Sequence, residues 1–175
     1  QAQMLRSSLL NTANTFIEEE ERQAYGIPYK YDSIYYEQNS RSPEIYYSGF
    51  EYDSNGHALN NMIAMAYAYD ETGDNKYLNG VTRGMDYLIG NNPMSYSFIS
   101  GYGSYCTKNP SHEYWQYEIN KSMPQAPDGV IVSGPTAKAI DSYVMALGLG
   151  SLILDAPSER LYADSVESWS TNEAS

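Results

Sequence analysis

The chain has 175 residues, 42% of them hydrophobic, with a mean hydropathy of −0.55, which suits one globular domain with a sizeable core. Its longest apolar run, residues 144–154, is broken by Gly148 and Gly150 and falls short of the roughly 18–20 residues that span a bilayer, so no membrane association is expected. Acidic side chains number 22 against 10 basic ones; the net charge of −12 repels phosphate backbones and argues against nucleic acid, while a neutral polysaccharide is indifferent to it.

Leu5, Leu9, Ala13, Phe16 and Ile17 recur at three- and four-residue intervals and predict an amphipathic helix over residues 1–23. The four glutamates at 18–21 sample every face of that helix and read as a solvated run, unfavourable beside the C-terminal dipole end and relieved by water. Gly26 and Pro28 stop the helix. Residues 27–52, rich in Tyr and Ser without a period, read as a long irregular connection whose aromatic content argues against disorder. Ser54 is the expected N-cap of a helix over 55–69 that buries Leu59, Met62, Ile63 and Ala66. After the turn at 70–74, a helix over 75–89 presents Leu78, Val81, Met85, Leu88 and Ile89, making an αα-hairpin. Beyond Gly90 the helical period is lost, and only Ser97-Phe98-Ile99 and Val130-Ile131-Val132 resemble strand. A helix is expected over 137–147, with Pro135 near its first turn, and a polar loop-like tail over 155–175.

Two compositional features bear on function. Nineteen tyrosines, against 3 Phe and 2 Trp, offer flat apolar faces with hydroxyl edges, the two properties that a sugar ring also presents. Many of them are expected to be structural. Cys106 stands alone, so it is either a buried small apolar side chain or paired outside this chain, and no zinc spacing exists.

Hydrolysis of a glycosidic bond needs two carboxyl groups, one to protonate the leaving oxygen and one to activate water or attack the sugar. The segment Glu167-Ser168-Trp169-Ser170-Thr171-Asn172-Glu173, preceded by Asp164-Ser165, is similar to the C-terminal signature of glycoside hydrolase family 9. Further segments resemble the same family in the same order. Asp53-Ser54-Asn55 with Asn60-Asn61 matches its Gly-Ser-Asn helix start, and Tyr87-Leu88-Ile89-Gly90-Asn91-Asn92-Pro93 its Leu-Gly-x-Asn-Pro segment. Ser97-Phe98-Ile99-Ser100-Gly101-Tyr102-Gly103 follows, then Asn109-Pro110-Ser111-His112, where the family has Pro-His-His-Arg. Pro127-Asp128-Gly129 through Ser133-Gly134-Pro135 resembles its Pro-x-Gly-x-Leu-x-Gly-Gly-Pro.

The resemblance implies an all-α fold, a partial (α/α)6 barrel of helical hairpins with long Tyr-rich loops, in which residues 1–175 form the C-terminal part of one catalytic domain. It implies hydrolysis of β-1,4-glucan by an inverting mechanism, with Glu173 as general acid, His112 on the glucosyl unit at the cleavage point, and Tyr114, Trp115 and Tyr102 against sugar or in the cleft wall. No cofactor is needed, a structural calcium is compatible with the family (Asp128 and Asp155 being the first places to look), and an extracellular location follows from a polymeric substrate. Three departures stand out: Glu113 replaces the family Arg, Ser133 replaces a Gly, and no Asp-Ala-Gly-Asp motif carrying the base occurs. The base-bearing N-terminal part of the domain is therefore expected to lie outside this chain, which alone should be inactive. A non-catalytic carbohydrate-binding or structural fragment, or another helical-toroid enzyme such as a polysaccharide lyase, remains the alternative.

Overall fold

The computed structural model describes residues 1–29, 33–36, 45–48, 50–136, 141–147 and 157–174. They fall into two compact units, Gln1–Lys30 with Gly56–Tyr96, and Tyr31–Asn55 with Ser97–Ser175.

The first unit is helical: α1 spans Ala2–Arg22, α2 spans Ser54–Thr72 (its first two residues counted with the second unit), and α3 spans Asn75–Ile89. The predicted hairpin is present. Gly73, at φ +69°, reverses the chain, and Asp74 then caps α3 by accepting the Lys76 amide at 3.0 Å.

Which faces are buried differs from the expectation. Ala13 and Ile17 of α1, Met62, Met65 and Ala68 of α2, and Tyr77, Tyr87 and Leu88 of α3 form the core, whereas Leu5, Ile63, Leu78 and Met85 are exposed. Ala66 is exposed as well. The reason is the pair Gly80 and Gly84, one turn apart on α3. A Cβ on Gly80 would lie 2.5 Å from Ile17 Cδ1 and 2.9 Å from Met65 Sδ, and one on Gly84 would lie 2.4 Å from Met62 Sδ. The helices therefore approach over the small residues of α3 rather than over its larger apolar stripe.

The acidic run also needs correcting. Glu20 is buried, with its Oε2 accepting from Arg83 Nη2 at 2.7 Å and Nε at 3.1 Å, so water does not solvate it. Its Oε1 has no hydrogen-bond partner. Burial pushes this carboxyl up to about 7, against the lowering influence of Arg83.

The second unit is loop-rich. Where residues 27–52 read as irregular, β1 (Ser33–Tyr36) pairs antiparallel with β2 (Ile45–Ser48), Ser33 opposite Ser48 and Tyr36 opposite Ile45. A short helix, α4, spans Ser142–Ala146, and single 3-10 turns occur at Ser158–Arg160 and Trp169–Thr171. The start of the helix expected over 137–147, the apolar run beyond Leu147, and Asp155 lie outside the described residues. Cys106 is buried as a free thiol. Among the described residues, no helix is long and apolar enough to cross a membrane.

Candidate active site

The second unit assembles motif segments that are far apart in sequence. Val132 N–H donates to Phe98 O at 3.1 Å, and Ser100 N–H donates to Val130 O at 2.9 Å, so the two strand-like pieces lie side by side. On the other edge of 130–134, Ser133 N–H reaches Asn172 O at 2.7 Å, and Ala174 N–H reaches Ile131 O at 2.9 Å. Ser111 N–H donates to Thr171 O at 2.7 Å, which brings in the segment carrying His112. Glu173 is thus held by backbone pairing through the residues on either side of it, while its side chain stays 42% exposed.

The start of α2 locks this arrangement. Asn55, fully buried, donates its backbone N–H to Ser133 O and its Nδ2 to Val132 O, each at 2.9 Å. Ser54 Oγ donates to Pro135 O at 2.7 Å. Gly134, at φ +84°, admits the Asn55 side chain, since any Cβ there would come within 2.4 Å of it. The departure at Ser133 becomes intelligible, as does the Asp at the first position of the Gly-Ser-Asn match. Asp53, standing where the family has glycine, adopts φ +62°, a left-handed conformation that Asp tolerates better than most residues. Ser133 is buried and does not adopt positive φ, so a side chain is accommodated there.

His112 and Glu173 face each other, Nε2 to Oε2 at 3.5 Å. The Tyr114 backbone N–H donates to His112 Nδ1 at 3.2 Å, so a neutral ring carries its proton on Nε2, toward Glu173. Trp115 stacks on the imidazole with centroids 4.6 Å apart and planes at 27°, and Tyr114 lies tilted against it at 5.0 Å. Four of the five expected site residues therefore form one cluster. Tyr102 does not join it: it is exposed between Gly101 (φ +69°) and Gly103 (φ +89°) and is in ring or polar contact with neither His112 nor Glu173. Glu113 is exposed on the turn between His112 and Tyr114.

Three supporting residues escaped the sequence reading. Asp164 accepts the Lys108 amide at 3.0 Å, the Asn109 amide at 3.2 Å and Thr107 Oγ1 at 2.8 Å, tying the loop before His112 to the segment before Glu173. Tyr52 hydroxyl accepts from Asn172 Nδ2 at 3.0 Å, and its ring meets Trp169 edge-on at 6.1 Å. Buried Asp141 accepts from Ser168 Oγ and from the Tyr143 and Val144 amides, anchoring the turn that leads to Glu173. Asp164 had a sequence signal in the Asp164-Ser165 pair of the family signature and Tyr52 in its place beside Asp53-Ser54-Asn55, whereas Asp141 had none.

Asp128 is exposed, with its carboxyl packed on Gly101. Among the described residues, no three His, Cys, Asp or Glu side chains gather as metal ligands.

The cluster thus places one exposed carboxyl beside an imidazole, with aromatic planes around it. The sequence profile described as glycosyl hydrolase family 9 matches residues 1–175. The chain is 35% identical to a cellulose 1,4-β-cellobiosidase of Acetivibrio thermocellus over 98% of its own length and 17% of the relative's. It is 30% identical to endoglucanase C of Cellulomonas fimi over 71% of its length and 11% of the relative's. Among solved structures, the family 9 endoglucanase J30 superposes with a TM-score of 0.73 at 20% identity, covering 96% of this chain and 27% of that one. The chain belongs to glycosyl hydrolase family 9, and its helical hairpins are part of that family's (α/α)6 barrel. It spans between about a tenth and a quarter of the lengths of these relatives.

Proposed function

We propose that this chain supplies the proton-donating side of an inverting β-1,4-glucanase site. The observation that carries the reading is the Glu173–His112 pair, an exposed carboxyl facing an imidazole at 3.5 Å in a backbone frame built from the family's motif segments. Glu173 protonates the departing glycosidic oxygen. His112, its tautomer set by the Tyr114 amide, offers Nε2–H to the carboxylate that remains or to a sugar hydroxyl. Tyr114 presents a broad exposed face to a glucosyl ring, and Trp115 holds the imidazole plane.

The catalytic base comes from a part of the domain outside these 175 residues, at the separation of roughly 6.5–9.5 Å that admits a water. Two carboxyls suffice for the chemistry, so hydrolysis runs without a cofactor. The substrate is cellulose or a related β-glucan, and a polymer of that size places the enzyme outside the cell. Tyr102 belongs to the cleft wall, outside the acid cluster.

The test is proton NMR of cello-oligosaccharide hydrolysis by the complete protein. The first-formed product is expected as the α-anomer, with the rate falling about 10²–10⁴-fold in Glu173→Gln. A β-anomer as first product overturns the inverting mechanism.

A further inference from the structure

We infer that the second unit carries a separate sugar site, on the cavity beside Trp115, that selects a hexose bearing a carboxylate, a hexuronic acid unit. The cavity is about 260 Å³ and is lined by Trp115, Tyr117, Lys108, Lys121, Gln125 and Glu118, among others. That volume suits one monosaccharide, below the roughly 300 Å³ at which drug-sized pockets begin.

Each wall supplies something a pyranose carboxylate needs. Trp115 lines the cavity with an indole already fixed in orientation by its stack on His112. Its Nε1–H is buried without a hydrogen-bond partner. Tyr117 has a different part: Lys121 Nζ sits 4.2 Å over its ring, so the aromatic face holds the ammonium at the cavity wall. The root of Lys108 is fixed because its backbone N–H is held by Asp164. Gln125 adds amide donors and an acceptor for sugar hydroxyls.

Charge decides between a neutral and an acidic sugar. The molecule carries only 10 Lys and Arg against 22 Asp and Glu, yet two lysines meet at this small cavity. The carboxylate among its lining residues, Glu118, spends Oε2 on the Val166 amide at 2.7 Å. The local balance is cationic in an acidic protein, which favours an anion over a neutral ring. A carboxylate fits that balance, and the indole fits the ring that carries it.

The inference rests on the glycoside hydrolase reading only for its biological sense, because binding is measured without turnover. Binding is read by isothermal titration calorimetry. The complete protein is titrated with sodium glucuronate and with methyl β-glucoside. Glucuronate is expected to bind at least about fivefold more tightly, with the preference lost in Lys108→Met and Lys121→Met and at high salt, and retained in Glu173→Gln. Equal affinity for the two sugars, binding of neither, or undiminished glucuronate binding in both lysine variants overturns the site. Hydrolysis that survives Glu173→Gln, by contrast, overturns the acid assignment and leaves the glucuronate result standing.

Discussion

Burial of Glu20 between α1 and α3 pushes its carboxyl from 4.5 up to about 7, because desolvation outweighs the guanidinium of Arg83 that holds Oε2. Between those values the folded chain binds more protons than the unfolded one, so stability falls as pH rises through that window. The loss is fully in place above pH 7 and is on the order of a few kcal/mol. Glu20→Gln removes the charge and keeps the shape. Urea denaturation is expected to show the variant gaining about 1–2 kcal/mol over the parent at pH 8 and much less at pH 5. A difference that does not change between the two pH values would refute the buried-charge account. Four adjacent glutamates carry no period, so nothing in the sequence distinguished the one that faces Arg83; the rotation of α3 selects it. Glu173 and His112 were readable only because flanking residues match a family pattern, whereas Asp164 was quoted within that pattern without its loop-tying role being visible.

At the level of elements, the αα-hairpin was legible in both its existence and the bounds of α3, since leucine and methionine spacing, Gly73 and Asp74 agree. The buried faces were not, because hydrophobic periodicity weights large side chains and ignores glycine. Gly80→Ala therefore carries the sharpest element-scale prediction. Its Cβ meets Ile17, Met65 and Glu20 within 3.0 Å, and the expected loss of about 1–3 kcal/mol outweighs the helix-propensity gain of about 1 kcal/mol. Gly84→Ala meets chiefly the Met62 side chain, whose flexible thioether yields, so it costs less. Thermal unfolding of the two variants checks the order. Asp164→Ala strips two amides and two hydroxyls of an acceptor and is expected to cost about 1–3 kcal/mol. It should also loosen the register of His112 against Glu173, seen as a fall in kcat at unchanged KM.

At the scale of the molecule, the large apolar residues left open on the helices of the first unit include Met4 and Leu5 on α1, Ile63 and Tyr67 on α2, and Leu78 and Met85 on α3. A family 9 barrel has further helices, and we assign these faces to contacts with them. Leu78→Glu is then expected to change stability by less than about 0.5 kcal/mol in the 175-residue chain. In the complete protein it should cost at least about 2 kcal/mol. Equal effects in both would contradict that packing. The family, and with it the barrel, was legible from ordered motifs. The hairpin of β1 and β2 was not, because Tyr-rich segments with serine at their ends carry no alternating pattern.

The claim on which the account depends is that Glu173 gives a proton to the leaving group, and leaving-group dependence measures it most directly. For Glu173→Gln in the complete protein, kcat on cellotetraose is expected to fall about 10²–10⁴-fold, whereas kcat on a dinitrophenyl cellobioside, whose phenolate departs unprotonated, should stay within about tenfold of the parent. Equal losses on the two substrates, or no loss on either, would contradict it.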